Sequence, residues 1–330
     1  MLKHKKLLVI AFLAVAILVL PLFITNDYIL RILTVVSLDS IVVLSINLIV
    51  GYCGILDFGR AAFVGIGGYF SALMMLRLNV PYLVAMLCAG LFTALVGMGL
   101  GALCRRSSFD YLSLITIGFS EICRLIFLNW EPVTNGPLGI SNIPPPQFFG
   151  FKIDTNLRAY YFAVVLLAIC YILIRRIVNS RLGRAFTAIR DNDIAASYTG
   201  INVANYKVIC FSIASFFTGI AGSALVHYAQ YASPYNYTID DSLIFLQMAI
   251  LGGLGNLPAS ILGTGILVIA PELSRTFYEY RLLIIGVMMV VMMIWAPNGL
   301  LGKNGLGDQL VNLIQKKREK KLVSRGDQTK

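Results

Sequence analysis

SRLGRAFTAIRDNDIAASYTGIN, residues 180–202, is a polar, arginine-bearing interval between two apolar runs, 159–176 and 206–230. Each run approaches or exceeds the length that crosses a hydrocarbon core of about 30 Å. On a helical wheel Leu182, Phe186 and Ile189 share one side, while Arg184, Arg190 and Asp191 project elsewhere. The spacing predicts a short amphipathic helix between two spans. Such a helix has two ordinary uses: it lies flat among lipid headgroups, or its ridge fills a groove on a soluble partner.

Working outward, apolar runs recur at about 7–25, 31–50, 60–76, 81–103, 109–128, 159–176, 206–230, 241–254, 259–274 and 281–297. Only 13% of the 330 residues are charged, against about 25% in soluble domains, and mean hydropathy is +0.80. The chain therefore reads as an all-α polytopic membrane protein with about ten transmembrane or re-entrant helices. Residues 1–302 form the membrane domain, and 303–330 a basic tail suited to anionic lipid. The opening KHKK and the apolar run after it read as an uncleaved first span, because no A-x-A-like site follows.

The net charge of +11 does not indicate nucleic-acid binding, because the basic residues sit in short loops and tails. With the N-terminus inside, 20 Lys and Arg fall on the inner side and 6 on the outer, counted from the sequence. That asymmetry places both termini in the cytoplasm. The cysteines Cys53, Cys88, Cys104, Cys123, Cys170 and Cys210 lie in or beside apolar runs without C-x-x-C spacing, and read as packing residues.

Two glycine-rich breaks interrupt the apolar runs, GYCGILDFG at 51–59 and GGLGNLP at 252–258. Broken helices at membrane depth are tolerated where protein or a water-filled cavity satisfies the freed backbone groups. Any single glycine here also reads as a close-packing residue. Together the clusters point to a solute path lined by Gly51, Gly54, Phe58, Gly59, Phe63, Gly252, Gly253 and Gly255. An Asp-Ser pair precedes each break, at 39–40 and 241–242, which raises the possibility of an internal repeat. The long outer loop, about 129–158, is too rich in Pro and Gly for a long helix.

Catalytic chemistry has little to stand on. The two histidines, His4 and His227, supply no metal or acid–base cluster, and no G-x-x-x-x-G-K-[ST] phosphate loop occurs. Glu121 and Arg124, three apart in an apolar run, read as a structural pair facing the bundle interior or as a proton relay. A self-sufficient secondary transporter needs a coupling-ion site, and no dense polar cluster offers one.

Several motifs, in order, carry a family resemblance: G-x-x-G-x-x-x-F-G-x-A-A-F-x-G-I-G-G-Y at 51–69, T-N-G-P-x-G-I at 134–140, S-R-L-G-R-A-F-x-A-I-R-D-N-D-x-A-A-x-x-x-G-I-N at 180–202, M-A-I-L-G-G-L-G-N-L-P at 248–258 and A-P-N-G-L-x-G at 296–302. Together they resemble the LivM-type permeases of branched-chain amino acid ABC importers. That resemblance implies the importer permease fold in a bacterial inner membrane, a second permease subunit, two cytoplasmic ATPases and an external solute-binding protein. It also implies that ATP and Mg are bound by the partners, with no cofactor in this chain. Residues 180–202 then become the ATPase-coupling segment, with Leu182, Phe186 and Ile189 docking and Arg184, Arg190, Asp191 and Asp193 framing the contact. Ala195, Ala196 and Gly200 match the importers' E-A-A-x-x-x-G loop, with Ile194 in place of the Glu. Thr134, Asn135, Gly136 and Gly139 become the external contact. Asp57 stands where a serine is common, and relatives of the same architecture carry urea, short amides or nucleosides.

Overall fold

The computed structural model describes residues 26–103, 109–148 and 151–273, with the isolated positions 286, 287, 290 and 299. Helix α1, Asp27–Ile46, begins where the Asn26 side chain accepts from the Tyr28 amide, and continues as a π-helical stretch, Asn47–Cys53. Gly54, at φ +77°, ends it. Helices α2 (Arg60–Leu78), α3 (Tyr82–Leu103) and α4 (Phe109–Asn129) follow. The loop after α4 contains a short helix α5 (Glu131–Thr134), a 3-10 turn (Gly136–Leu138) and a hairpin of β1 (Gln147–Phe148) with β2 (Phe151–Lys152). Then come α6 (Asn156–Val178), α7 (Arg181–Asp191), α8 (Asp193–Tyr198), α9 (Val203–Ala229), α10 (Ile239–Gly252) and α11 (Leu257–Leu273).

Among the described residues, six helices are long and apolar enough to cross a membrane: 27–53, 60–78, 82–103, 111–129, 156–178 and 203–229. The expected first span, 7–25, the last, 281–297 apart from positions 286, 287 and 290, and the tail 303–330 lie outside the described residues, as does Cys104. Of the two remaining expected spans, α10 has only 14 residues, about 21 Å, which is short of a crossing. It starts at depth, where the Ser242 hydroxyl accepts from the Ala61 amide at 2.9 Å. The 17-residue α11 returns antiparallel to α10, as Gly252 packing on Ala259 and Gly263 packing on Met248 show. It runs back along α1 from Asn47 to Tyr28, whose hydroxyl donates to Glu272. The two Asp-Ser pairs are therefore not equivalent. Asp241 caps α10, accepting from the Thr238 amide at 2.9 Å, whereas Asp39 lies in the body of α1.

Helix α9 is the hub, packed against α3, α2 and α1. Small residues let the backbones touch. A Cβ on Gly67 would strike the Gly219 carbonyl, one on Gly222 the Val64 carbonyl, and one on Gly97 the Ser215 side chain. Between helices in a lipid solvent, such close contact supplies the dispersion that the hydrophobic effect does not. Cys53, Cys88, Cys123, Cys170 and Cys210 are free thiols, as their spacing predicts.

A buried ion pair pins α2 to this hub. Arg60 and Asp57 have fully buried side chains and pair through Nε and Oδ2. Arg60 Nη1 also donates to Thr218 Oγ1 at 3.2 Å, and its guanidinium lies 5.2 Å from the Phe63 ring centroid. Thr218 is near the middle of the 27-residue α9, so the pair sits at the depth of the helix centre. A second Asp57 oxygen accepts from the Gly59 amide at 2.9 Å, leaving the carboxylate doubly held. Removing one partner strands the other charge. Arg60→Ala is expected to destabilise the fold by about 3–5 kcal/mol. Asp57→Ala combined with Arg60→Met is expected to recover much of that loss, measured as melting temperature in detergent.

Candidate functional site

The site is the place where the 180–202 segment meets the two glycine breaks. Ser180 caps α7, its hydroxyl accepting from the Leu182 amide at 3.1 Å. Gly183 packs so closely on Val178 that any side chain there would hit the Val178 carbonyl. That contact turns α7 back under the end of α6. Its apolar ridge then faces the chain's own core: Phe186 and Ile189 are fully buried, and Phe186 sets its ring edge-on to Tyr206, 6.3 Å between centroids. Leu182 packs on the same core. Two of the three residues of the expected docking ridge, Phe186 and Ile189, are thus turned to the core and bind α7 to the permease, while Leu182 keeps part of its surface.

Arg190 also turns inward. Its Nη1 donates to the Gly51 carbonyl at 2.8 Å, while Nε and Nη2 hold Asp191 Oδ1 at 3.1 and 2.9 Å. The Gly51 carbonyl belongs to the π-helical end of α1, where the regular helix ladder fails. Gly54 lets α7 approach: a Cβ there would lie 2.8 Å from Arg190 Cγ.

The second break reaches the same place. Asn47, fully buried in α1, accepts from the Gly255 amide at 2.8 Å and donates to the Asn256 carbonyl at 3.2 Å and to Ser260 Oγ. Gly255, at φ +77°, lies beside both Gly51 and Arg190 Nη1. The sequence separation of the breaks hides a direct contact: one arginine and one asparagine join α7, the end of α1 and the α10–α11 turn.

Of the residues expected to line a path, Gly51, Gly59, Phe63, Gly252 and Gly253 are buried within the chain. They serve packing here. Gly59 abuts the Thr116 carbonyl, Gly252 abuts Ala259, and Phe63 lies 5.1 Å from Phe119 between ring centroids. Gly54, Phe58 and Gly255 keep partial surface.

The outward face of the 180–202 segment is different from the expected one. Helix α8 is capped by Asn192, whose side chain accepts from the Ala195 amide at 2.9 Å, and Asp193 lies 3.9 Å from Lys207. Ala196 is buried, whereas Ile194 is 66% and Tyr198 88% exposed. They are four apart and share a face. Ala195 and Gly200 are exposed, as are Arg181 and Arg184. Ile194 was legible only as a departure from the acidic motif.

At the other end of the molecule, the T-N-G turn is built from its own hydrogen bonds. Thr134 Oγ1 donates to the Phe127 carbonyl at 2.7 Å, and Asn135, at φ +64°, donates to the Gly139 carbonyl at 2.9 Å. Gly139 packs on Ala232, and Ile140 pairs with Ala232 through two 2.9 Å backbone bonds. Thr134, Gly136 and Gly139 are buried, so they shape the turn, while Asn135 and Leu138 present it.

The Glu121–Arg124 pair forms, with Arg124 Nε donating to both carboxylate oxygens at 3.1 and 3.0 Å. It does not face the bundle interior: Glu121 retains 38% of its side-chain exposure and Arg124 23%.

The chain matches the family described as "Branched-chain amino acid transport system / permease component" over residues 28–293. It belongs to that family. The high-affinity branched-chain amino acid transport permease LivM of Salmonella typhimurium is 34% identical over 320 residues, covering 90% of this chain and 75% of the relative. LivM of Escherichia coli K12 gives the same figures. LivH of Escherichia coli K12 is 27% identical over 293 residues, covering 82% and 93%. The higher identity with LivM makes this a LivM-type permease and a multi-pass membrane protein. No solved structure matches the chain.

Asn47→Ala removes the acceptor of the Gly255 amide and a donor to the turn, at an expected cost of about 1–3 kcal/mol. Hydrogen exchange at residues 253–256 is expected to quicken about tenfold or more, while α9 amides stay protected. Unchanged exchange in the turn would show that Asn47 does not hold it.

Proposed function

We propose that this permease is the transmembrane subunit of an ATP-binding cassette importer for branched-chain amino acids, with residues 180–202 as its coupling segment. The observation that carries the reading is the placement of α7–α8, buried on one side against both glycine breaks and exposed on the other through Ile194 and Tyr198. A push on α8 reaches the breaks without crossing a flexible loop. The relatives are transport permeases, and a self-sufficient secondary transporter is not favoured.

In this reading the chain sits in a bacterial inner membrane with about ten transmembrane or re-entrant helices, the short α10 among them, and with both termini cytoplasmic. A LivH-like permease pairs with it, two cytoplasmic ATPases bind ATP and Mg, and an external binding protein delivers the solute to the side of the 129–158 loop. Coupling requires two states that the ATPases and the loaded binding protein favour differently. Ile194 and Tyr198, with Arg181 and Arg184 beside them, make the ATPase contact. Asn135 and Leu138 present the outer turn to the binding protein.

The exposed Glu121–Arg124 pair belongs to the aqueous path between the two permeases. Eight residues, about 12 Å, separate Glu121 from the end of α4, so it lies at hydrocarbon depth. Ionisable groups there face protein or water rather than acyl chains. An ion pair at a path wall suits a zwitterionic solute, because either end of the solute meets an opposite charge.

Two measurements test these assignments. Ile194→Asp with Tyr198→Asp is expected to reduce ATP-driven uptake in proteoliposomes more than tenfold and to release the ATPases on purification, with the melting temperature unchanged. Full uptake by that variant would remove the coupling role. A cysteine at position 121, in a background without other cysteines, is expected to react with a membrane-impermeant maleimide in the assembled transporter. Reaction only with a lipid-soluble reagent would place α4 against lipid.

A further inference from the structure

Helices α3 and α6 leave an apolar groove between them, about 510 Å³ in volume. Leu83 and Met86 form one wall, and Phe162, Val165 and Ile169 the other. Both helices belong to the less buried spans, with 39% and 33% of their apolar windows covered by the chain, against 67% for α9. Leu83, Val165 and Ile169 are 41%, 53% and 50% exposed. The groove therefore opens sideways from the bundle.

Its charge is confined to one end. Lys152, from the hairpin, and Arg158, in the first turn of α6, close the groove on the side of the 129–158 loop. Arg158 Nη1 donates to the Lys152 carbonyl at 3.2 Å and to Asp154 Oδ1 at 3.3 Å, which holds the guanidinium at the rim. Among the described residues Lys152 forms no ion pair. With Asp154 counted, the rim carries one net positive charge.

The dimensions fit one leaflet. From Arg158 to Ile169 the helix rises 11 residues, about 16 Å, which is about half of a hydrocarbon core of ~30 Å. A positive rim over an apolar slot of that depth matches a phosphate joined to an acyl chain. A zwitterionic lipid would bring its own cation to a rim already positive, whereas an anionic lipid would not.

We propose that this groove is a binding site for one anionic phospholipid, with its acyl chain between α3 and α6 and its phosphate on Lys152 and Arg158. The site requires only that the chain spans a membrane, and stands apart from the coupling role of α7–α8. The lipid would brace the hairpin and the start of α6, which together carry the end of the long loop.

The test uses the full chain purified with its companion subunits, delipidated, and offered equal phosphatidylglycerol and phosphatidylcholine before native mass spectrometry and thermal melting. Phosphatidylglycerol is expected to be retained about tenfold over phosphatidylcholine and to raise the melting temperature. Lys152→Gln and Arg158→Gln are each expected to cut that preference roughly fivefold, in line with the attraction of one basic residue to an anionic surface. Val165→Trp, which fills the slot, is expected to lower retention of both lipids in a chain that still melts cooperatively. Equal retention of the two lipids, or a preference that survives loss of both cations, would overturn the proposal. So would an equal melting shift from inorganic phosphate alone, or a groove cross-linked to a companion subunit with no lipid retained.

Discussion

A helix that ends inside a membrane protein leaves carbonyls that water cannot reach, and the carbonyl of Gly51 is answered by Arg190. The rest of the site depends on that bond. The π-helical turn frees the group, the glycine at 54 opens the space, and the arginine arrives from a segment 139 residues away in sequence. Arginine suits the position because its planar fork binds two partners at once: Nη1 takes the carbonyl, while Nε and Nη2 hold Asp191. A lysine would supply a point charge without the fixed direction. Asn47 does the same for the α10–α11 turn: it accepts from the Gly255 amide and adds a donor to the Asn256 carbonyl, which also takes the Ser260 amide of α11. Both breaks are therefore closed by side chains whose removal leaves buried polar groups unpaired.

This arrangement rests on a stiffer frame. Helices α2, α3 and α9 meet at glycines with backbone-to-backbone contact, and the Asp57–Arg60 pair fixes the start of α2 at the depth where α9 is centred. Two helices begin at that level, α2 at Arg60 and α10 near Ser242, and the Ser242 hydroxyl joins them through the Ala61 amide. A helix start favours an anion. Ahead of α2, Asp57 already occupies that role by accepting from the Gly59 amide. Packed frames of this kind move as units, and motion concentrates where the backbone departs from the helix.

Much of this architecture was legible in the residues. Apolar run length located all six long helices, because a membrane span must satisfy its own backbone and so advertises itself as a continuous apolar stretch. The glycine clusters marked both breaks for the same reason. Two matters were not legible. The run at 241–254 is itself only 14 residues, and what the sequence does not give is the depth at which it starts, which the Ser242–Ala61 bond sets. Periodicity also gives an amphipathic helix a greasy side without saying whose grease it meets. Leu182, Phe186 and Ile189 read as a ridge for lipid headgroups or for a partner's groove, whereas the structure turns Phe186 and Ile189 to the chain's own core, with Gly183 pressed against Val178. Glu121 and Arg124 pair as their i, i+3 spacing requires, but spacing carries no information on which face of α4 the bundle covers.

The burial of that ridge bears directly on how force could pass through the segment. A coupling helix held by its charged ends alone would rock in place, and its motion would fade before reaching α1. Here Phe186 and Ile189 are fully buried, and Arg190, one residue on, grips the broken end of α1. Displacing α8 must then either carry α7, Gly51 and the Gly255 turn together or expose two large apolar side chains at about 1.5–3 kcal/mol each. The second course costs about 3–6 kcal/mol in total, at or above the few kcal/mol that separate conformers in a typical switch. Joint movement is the cheaper course. The exposed pair Ile194 and Tyr198 can thus change without loosening the core, while the buried ridge fixes the direction in which any push is delivered.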